Sequence, residues 1–329
     1  MVVKRGIGSF EVTPVGYGCM SLSHAYGTPP DVAEGVRLLH HALDLGYDFL
    51  DTAALYGFGA NETLLGEALA ARRGEYVLAS KCGMTGVNGK RVIDGRPETL
   101  KRTIDESLQR LRVDVIDLYY LHRWDKAVPI EDSIGALAEI LAAGKIRGIG
   151  VSEVSGATLR RAHAVHPITA IQNEYSPWSR NAELGALETA RELGVAFVAF
   201  SPVARGFLAD GVHDPAALVE RDIRRGMPRF QAPHFEKNLK LLGQFRALAR
   251  EAGCAPAQLS LAWVLSRGPH VVAIPGTVSA AHQAENLAAA GITVDPAILA
   301  RVDALFPPNV AGPRYPAGTL AEIDTEEFA

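Results

Sequence analysis

The chain has 329 residues, 48% of them hydrophobic and 21% charged, with a formal net charge of −4. That supports a large core in an α/β protein and lacks the basic excess of a nucleic-acid binder. No apolar run reaches the roughly 18 residues that span a bilayer, Met1 to Gly6 holds no secretory core, and Cys19, Cys82 and Cys254 are too scattered for a disulfide framework. A cytoplasmic protein with a small-molecule substrate is expected, with no nucleic-acid and no membrane partner.

In chain order, Phe10 to Thr13 reads as part of a small hairpin and Val15 to Met20 as a first buried strand. A Gly/Pro/Ser-rich loop follows, then a helix capped by Asp31, whose Val32, Val36, Leu39, Ala42 and Leu43 recur at helical spacing. Strands are expected at 48–53, 77–81 and 116–122, and helices at 61–72, from Pro97 and at 131–143. The second half repeats the pattern, with strands at 146–152, 170–175 and 196–201 and helices at 155–165 and 182–193. A long insertion rich in Arg, Gly and Pro (about 203–235) precedes helices at 235–252 and 256–266, an eighth strand at 271–274 and a last helix at 279–290. The tail, about 306–329, carries four prolines.

Strands that alternate with helices predict a parallel sheet. Eight of them predict closure into a (β/α)8 TIM barrel, read here as a single domain over 1–329. An open dinucleotide-binding sheet is the alternative. Its best turn, Gly148-Ile149-Gly150-Val151-Ser152-Glu153, has Glu153 in place of the third glycine and lies mid-chain, so it is set aside.

Three successive strands end in ionisable residues, at Asp51 (with Tyr56 five residues on), Lys81 and His122. In a parallel barrel these converge at the C-terminal face, where barrel enzymes keep their chemistry. Taken singly, Asp51 and Lys81 read as a structural ion pair, Tyr56 as a loop aromatic and His122 as a core histidine; together they form an acid/base apparatus. A phenol titrates near 10, and an ammonium beside it favours phenolate. Asp51 would keep Lys81 charged, and His122 would polarise a carbonyl. Nothing in the set supplies hydride, so a reduction needs a bound cofactor.

These residues, with Gly148 to Glu153, Gln172-Asn173-Glu174-Tyr175, Phe200-Ser201-Pro202, Arg205-Gly206, Ile274-Pro275-Gly276-Thr277 and Glu285-Asn286, resemble the aldo-keto reductases over about residues 4–305, most closely the perakine-reductase and auxin-induced-protein type. The resemblance implies an NADP(H)-dependent reductase of aldehydes or ketones, with Tyr56 as general acid, Lys81 and Asp51 tuning it and His122 orienting the carbonyl. It implies that Ser152 and Gln172 hold the nicotinamide carboxamide and Phe200 stacks on the ring. Ser201, Val203, Arg205 and Gly206 would line the pyrophosphate, and Gly276, Thr277, Glu285 and Asn286 the adenosine half. The insertion would fold over the cofactor. Val278 and Ser279 replace the basic residues that usually neutralise a 2′-phosphate, with His282 nearby, so NAD(H) is left as a competitor. Met20, Phe58, Arg123, Trp124 and Trp178 are expected to form the substrate pocket, suited to a ring-bearing substrate.

No metal is expected: the His40-His41 and His163/His166 pairs lack a carboxylate partner or a known ligand pattern. A nicotinamide-binding redox sensor is the rival reading, and an aldolase with a Lys81 Schiff base is disfavoured because Asp51 would keep the amine protonated.

Overall fold

The computed structural model describes residues 2–308 and 310–328. Eight strands lie in one parallel sheet in sequence order: β1 (Tyr17–Gly18), β2 (Phe49–Asp51), β3 (Val77–Cys82), β4 (Leu118–Leu121), β5 (Ile149–Ser152), β6 (Ala170–Glu174), β7 (Ala196–Phe200) and β8 (Val271–Ile274). The sheet closes on itself beside β1. Val15 bridges Ala273, the Gly16 N–H donates to the Ala273 carbonyl at 2.8 Å, and the Ala273 N–H donates to Pro14 at 2.9 Å. The expected (β/α)8 barrel is the observed fold.

Helices α1 (Val32–Leu45), α2 (Ala60–Leu69), α3 (Pro97–Leu111), α4 (Ile130–Ala142), α5 (Gly156–Val165) and α6 (Ala186–Leu193) each link consecutive strands. Both α7 (His234–Glu251) and α8 (Pro256–Leu265) lie between β7 and β8, and α9 (Ala280–Ala288) follows β8. The first helix shows why these segments form: Asp31 accepts the Glu34 N–H at 2.8 Å, and Gly46 ends the helix at φ 102. Between the caps, Leu38, Leu39, Ala42 and Leu43 face inward, each leucine contributing about 1.5–3 kcal/mol by leaving water.

The barrel has two apolar layers. The outer one lies between strands and helices. The inner one packs Phe49, Leu118, Tyr120, Val198 and Val272 together with Ile7 and Val12. Those last two come from the antiparallel hairpin Arg5–Ile7/Phe10–Val12, which plugs the N-terminal end of the barrel. Gly150 makes the interior possible, because a Cβ there would sit 2.2 Å from the Tyr120 ring. With one end plugged, ligand access is left to the strands' C-terminal ends.

Several local expectations change. The first strand is two residues long, since Met20–Leu22 already turns. The loop after β3 holds a hairpin, Met84–Val87/Lys90–Ile93, whose Asn88-Gly89 turn has φ of 51 and 73. That Asn-Gly signal was present in the sequence. Residues beyond the expected last helix form α10 (Pro296–Leu305), capped by Asp295, and the tail carries α11 (Ala317–Glu322). No helix among the described residues is long and apolar enough to cross a membrane.

Candidate active site

The register of the sheet brings the expected residues together. Asp51 ends β2 opposite Ala79, Lys81 pairs with Tyr120 on β4, and His122 follows β4 with its N–H on the Cys82 carbonyl at 2.8 Å. Lys81 is fully buried, and its Nζ donates to an Asp51 carboxylate oxygen, to the Thr52 carbonyl at 2.8 Å and to the Tyr56 hydroxyl at 3.2 Å. The other Asp51 oxygen accepts from Gln172 Nε2 at 2.8 Å. The His122 ring stands edge-on to Tyr56, with centroids 5.8 Å apart.

Burial dominates the electrostatics. It raises the Tyr56 phenol above its ordinary 10.0, and the Lys81 ammonium opposes this only in part. The net lowering expected from Lys81 alone is therefore corrected: desolvation of the phenolate is the larger effect. Burial also works against the Lys81 ammonium, but Asp51 and Tyr56 outweigh it and hold the group above 10.5. Asp51 is raised from 3.8 by burial, with Lys81 and Gln172 pulling it back. His122 is held well below 6.5 by burial and by Arg123, Lys81 and Arg91, so it is neutral at pH 7. The set thus contains a protonated phenol, a charged ammonium and a neutral imidazole.

A cavity of about 760 Å³ opens from Tyr56 and His122, a size typical of small-molecule sites. Among the residues expected to hold a cofactor, Ser152, Gln172, Phe200, Ser201, Val203, Arg205, Gly206, Gly276, Thr277, His282, Glu285 and Asn286 all line it. A Cβ on Gly276 would lie 2.8 Å from the Gly18 carbonyl, and Ala204, Arg205 and Gly206 are consecutively left-handed at φ 53, 56 and 88. Such strained turns cluster at ligand sites. Arg205 departs from its expected part, since its guanidinium pairs with Glu174 at 2.9 Å and donates to the Tyr315 and Tyr26 hydroxyls. Its charge is spent within the protein. Val278 is 40% exposed and lines the cavity, and the Ser279 hydroxyl caps α9 by accepting the His282 N–H.

At the other end Met20, Phe58 and Arg123 line the cavity, and Trp124 and Trp178 do not. Trp124 bonds back to its own loop, Nε1 to Val128 at 2.8 Å. Trp178 is buried against Phe207, stacked at 4.3 Å, with Arg229 over its ring. Phe58 sits at φ 52, rare for a bulky residue, with its ring lying where a side chain on Gly86 would be.

Other lining residues were not anticipated. His24, whose ring is 5.4 Å from Tyr56, comes from the loop after β1, and Met84 and Arg91 come from the hairpin after β3. Tyr315, Pro316 and Thr319 come from the tail. The tail is fixed there by Arg314, which is buried against Glu153 at 3.1 Å and Glu174 at 3.8 Å. Only the Asn-Gly turn announced any of this; the tail's long-range pairing leaves no local pattern. Tyr26 and Arg224 stitch the insertion to the loop after β1, the Arg224 guanidinium lying 5.1 Å from the Tyr26 ring and the Asp222 carboxylate accepting the Gly27 N–H at 2.8 Å. The histidine pairs take ordinary roles, His41 bonding Gln283 and His163 accepting the Ile168 N–H.

A profile described as the aldo/keto reductase family matches residues 14–306. The aldo-keto reductase yakc, NADP(+), of Schizosaccharomyces pombe is 39% identical over 330 residues, covering 98% of this chain and 97% of the relative. Among solved structures, the glycerol dehydrogenase AKR11B4 from Gluconobacter oxydans aligns with a TM-score of 0.84 at 30% identity, covering 96% of this chain and 98% of that one. The aldo-keto reductase AKR11C1 from Bacillus halodurans, in its holo form, aligns at 0.77 and 28% identity, covering 94% and 98%.

Proposed function

The chain belongs to the aldo/keto reductase family, and from that premise we propose that it moves hydride between NADP(H) and the carbonyl carbon of an aldehyde or ketone, with Tyr56 as general acid and base. This is chemistry of the alcohol dehydrogenase and carbonyl reductase class. The observation that carries the reading is the Lys81 ammonium, which touches both Asp51 and the Tyr56 hydroxyl at the mouth of the large cavity. The nicotinamide supplies the hydride when bound, a capacity no side chain has. Ser152 and the side-chain carbonyl oxygen of Gln172 would hold its carboxamide, and Phe200 would cover the ring. The turn from Ser201 through Val203 to Gly206 would pass the pyrophosphate, with its backbone and not the Arg205 charge in contact. Gly276, Thr277, His282, Glu285 and Asn286 would receive the adenosine half.

The chain's own groups then perform the proton chemistry. As negative charge grows on the carbonyl oxygen, the Tyr56 hydroxyl donates its proton there. Lys81 stabilises the phenolate left behind, and Asp51 keeps Lys81 an ammonium. Neutral His122 donates a hydrogen bond to the same oxygen without competing for the proton. In the reverse direction the phenolate takes the alcohol proton. Following nicotinamide absorbance with aldehydes, ketones and alcohols tests this. Carbonyl-dependent NADPH consumption is expected, and no turnover of any carbonyl or alcohol with either cofactor contradicts the reading.

A further inference from the structure

Arg123 differs from every other arginine that lines the cavity. Arg91 pairs with Glu322, Arg205 with Glu174 and Arg224 with Asp222. Arg123 pairs with no carboxylate among the described residues. Its Nη1 donates to the His122 carbonyl at 2.6 Å and to Ser152 Oγ at 3.3 Å, while Nε and Nη2 meet no protein acceptor among them. The guanidinium is half-buried, so it has lost part of its hydration without gaining a counterion, and a desolvated charge is costly until it is paired.

The acids lining the cavity do not remedy this. They are Asp51, whose two oxygens are taken by Lys81 and Gln172, and Glu285, which stands beside Asn286 on α9. The end that holds Tyr56 and His122 therefore carries a surplus cation. The cofactor's phosphates do not account for it, because Arg123 stands next to His122 and Ser152, at the nicotinamide end. The cavity is also lined by Met20, Phe58 and Met84, which offer apolar surface.

Resting on the carbonyl-reductase reading, we propose that the substrate is a carbonyl compound bearing an anionic group, such as a carboxylate, on an apolar body, and that Arg123 receives the anion. The free Nε and Nη2 edge of a guanidinium matches a carboxylate in two parallel hydrogen bonds. Binding through that edge would leave Nη1 on His122 and fix the carbonyl relative to Tyr56.

The 2-, 3- and 4-carboxybenzaldehydes and their methyl esters, reduced with NADPH at low and high salt, provide the test. The wild-type protein should show kcat/KM about tenfold or more higher for at least one acid than for its ester, a preference that shrinks with salt. Arg123→Met should cut kcat/KM for that acid about tenfold more than for the ester, chiefly through KM, and Arg123→Lys should recover part of the difference. Stronger inhibition of the wild-type protein by benzoate than by benzamide should give the same answer without a variant. Ester reduction with no preference for any acid, or an equal loss on acid and ester in Arg123→Met, overturns the anion site and leaves the reductase reading standing. Absence of any carbonyl reduction overturns both.

Discussion

Gln172 Nε2 donates to Asp51 Oδ2 at 2.8 Å across the barrel mouth, from β6 to the end of β2. The residue proposed to hold the nicotinamide carboxamide thus also helps hold the carboxylate that keeps Lys81 charged. On the proposed reading, cofactor site and proton relay share one amide. Gln172→Leu leaves a buried Asp51 oxygen without its donor, which costs about 1–3 kcal/mol. Chemical denaturation of the cofactor-free protein should show that loss, together with slower reduction. Unchanged stability would mean that Asp51 finds another donor.

The buried imidazole of His122 sets a pH dependence. Its folded pKa lies well below 6.5, so below pH 6.5 the unfolded chain takes up a proton that the folded chain refuses. Its contribution to stability is therefore fully present above pH 6.5 and is lost as pH falls below it. Unfolding free energies of His122→Phe measured from pH 8 down to 5 should fall less steeply than those of the wild-type protein. An identical slope would place the neutral form elsewhere.

The shape of the activity profile follows from Tyr56. Burial raises the phenol above 10.0, so it stays protonated, and competent as an acid, until pH passes that value. Carbonyl reduction should decline on the alkaline side only above about pH 10, and an alkaline fall centred near pH 8 would contradict this placement of the phenol.

A buried cation helps to hold the tail on the barrel. Arg314 is 2% exposed beside Glu153 and Glu174. Arg314→Met leaves the buried Glu153 carboxylate without its cation, a cost of about 3–5 kcal/mol, while Glu174 keeps Arg205. Reduced thermal stability is expected, with faster proteolysis after residue 310 and a higher KM for the carbonyl substrate, because Tyr315 and Thr319 line its cavity. A tail as resistant as in the wild-type protein would show that its other contacts suffice.

The fold and the heart of the site were legible in the sequence for a common reason. Barrel strands and helices carry local periodicity, and the Asp51, Lys81 and His122 side chains stand at strand ends whose convergence follows from closure. Trp124 and Trp178 misled because an aromatic in a loop next to a site has the same composition whether it faces the cavity or, like Trp178, packs against Phe207 and Arg229. Arg205 does line the cavity, but the pairing of its charge with Glu174, 31 residues away in sequence, left no local sign. Tyr315 and Arg314 were invisible because only the folded tail brings them to the barrel mouth.

Cofactor preference is open to engineering at the end of the cavity beyond Thr277. Val278 is exposed and the Ser279 hydroxyl is committed to capping α9, so the two residues after Thr277 offer no cation. Val278→Lys combined with Ser279→Arg should tighten NADPH more than NADH, by about tenfold for one charge-assisted contact. Titrations that tighten both cofactors equally would locate the 2′-phosphate elsewhere.

The most direct test of the proton-transfer assignment is single-turnover reduction by Tyr56→Phe with NADPH saturating. General acid catalysis contributes about 10²- to 10⁴-fold, so reduction should slow by that range while NADPH affinity stays within a few-fold of the wild-type value. Reduction at the wild-type rate in this variant would contradict the assignment of Tyr56.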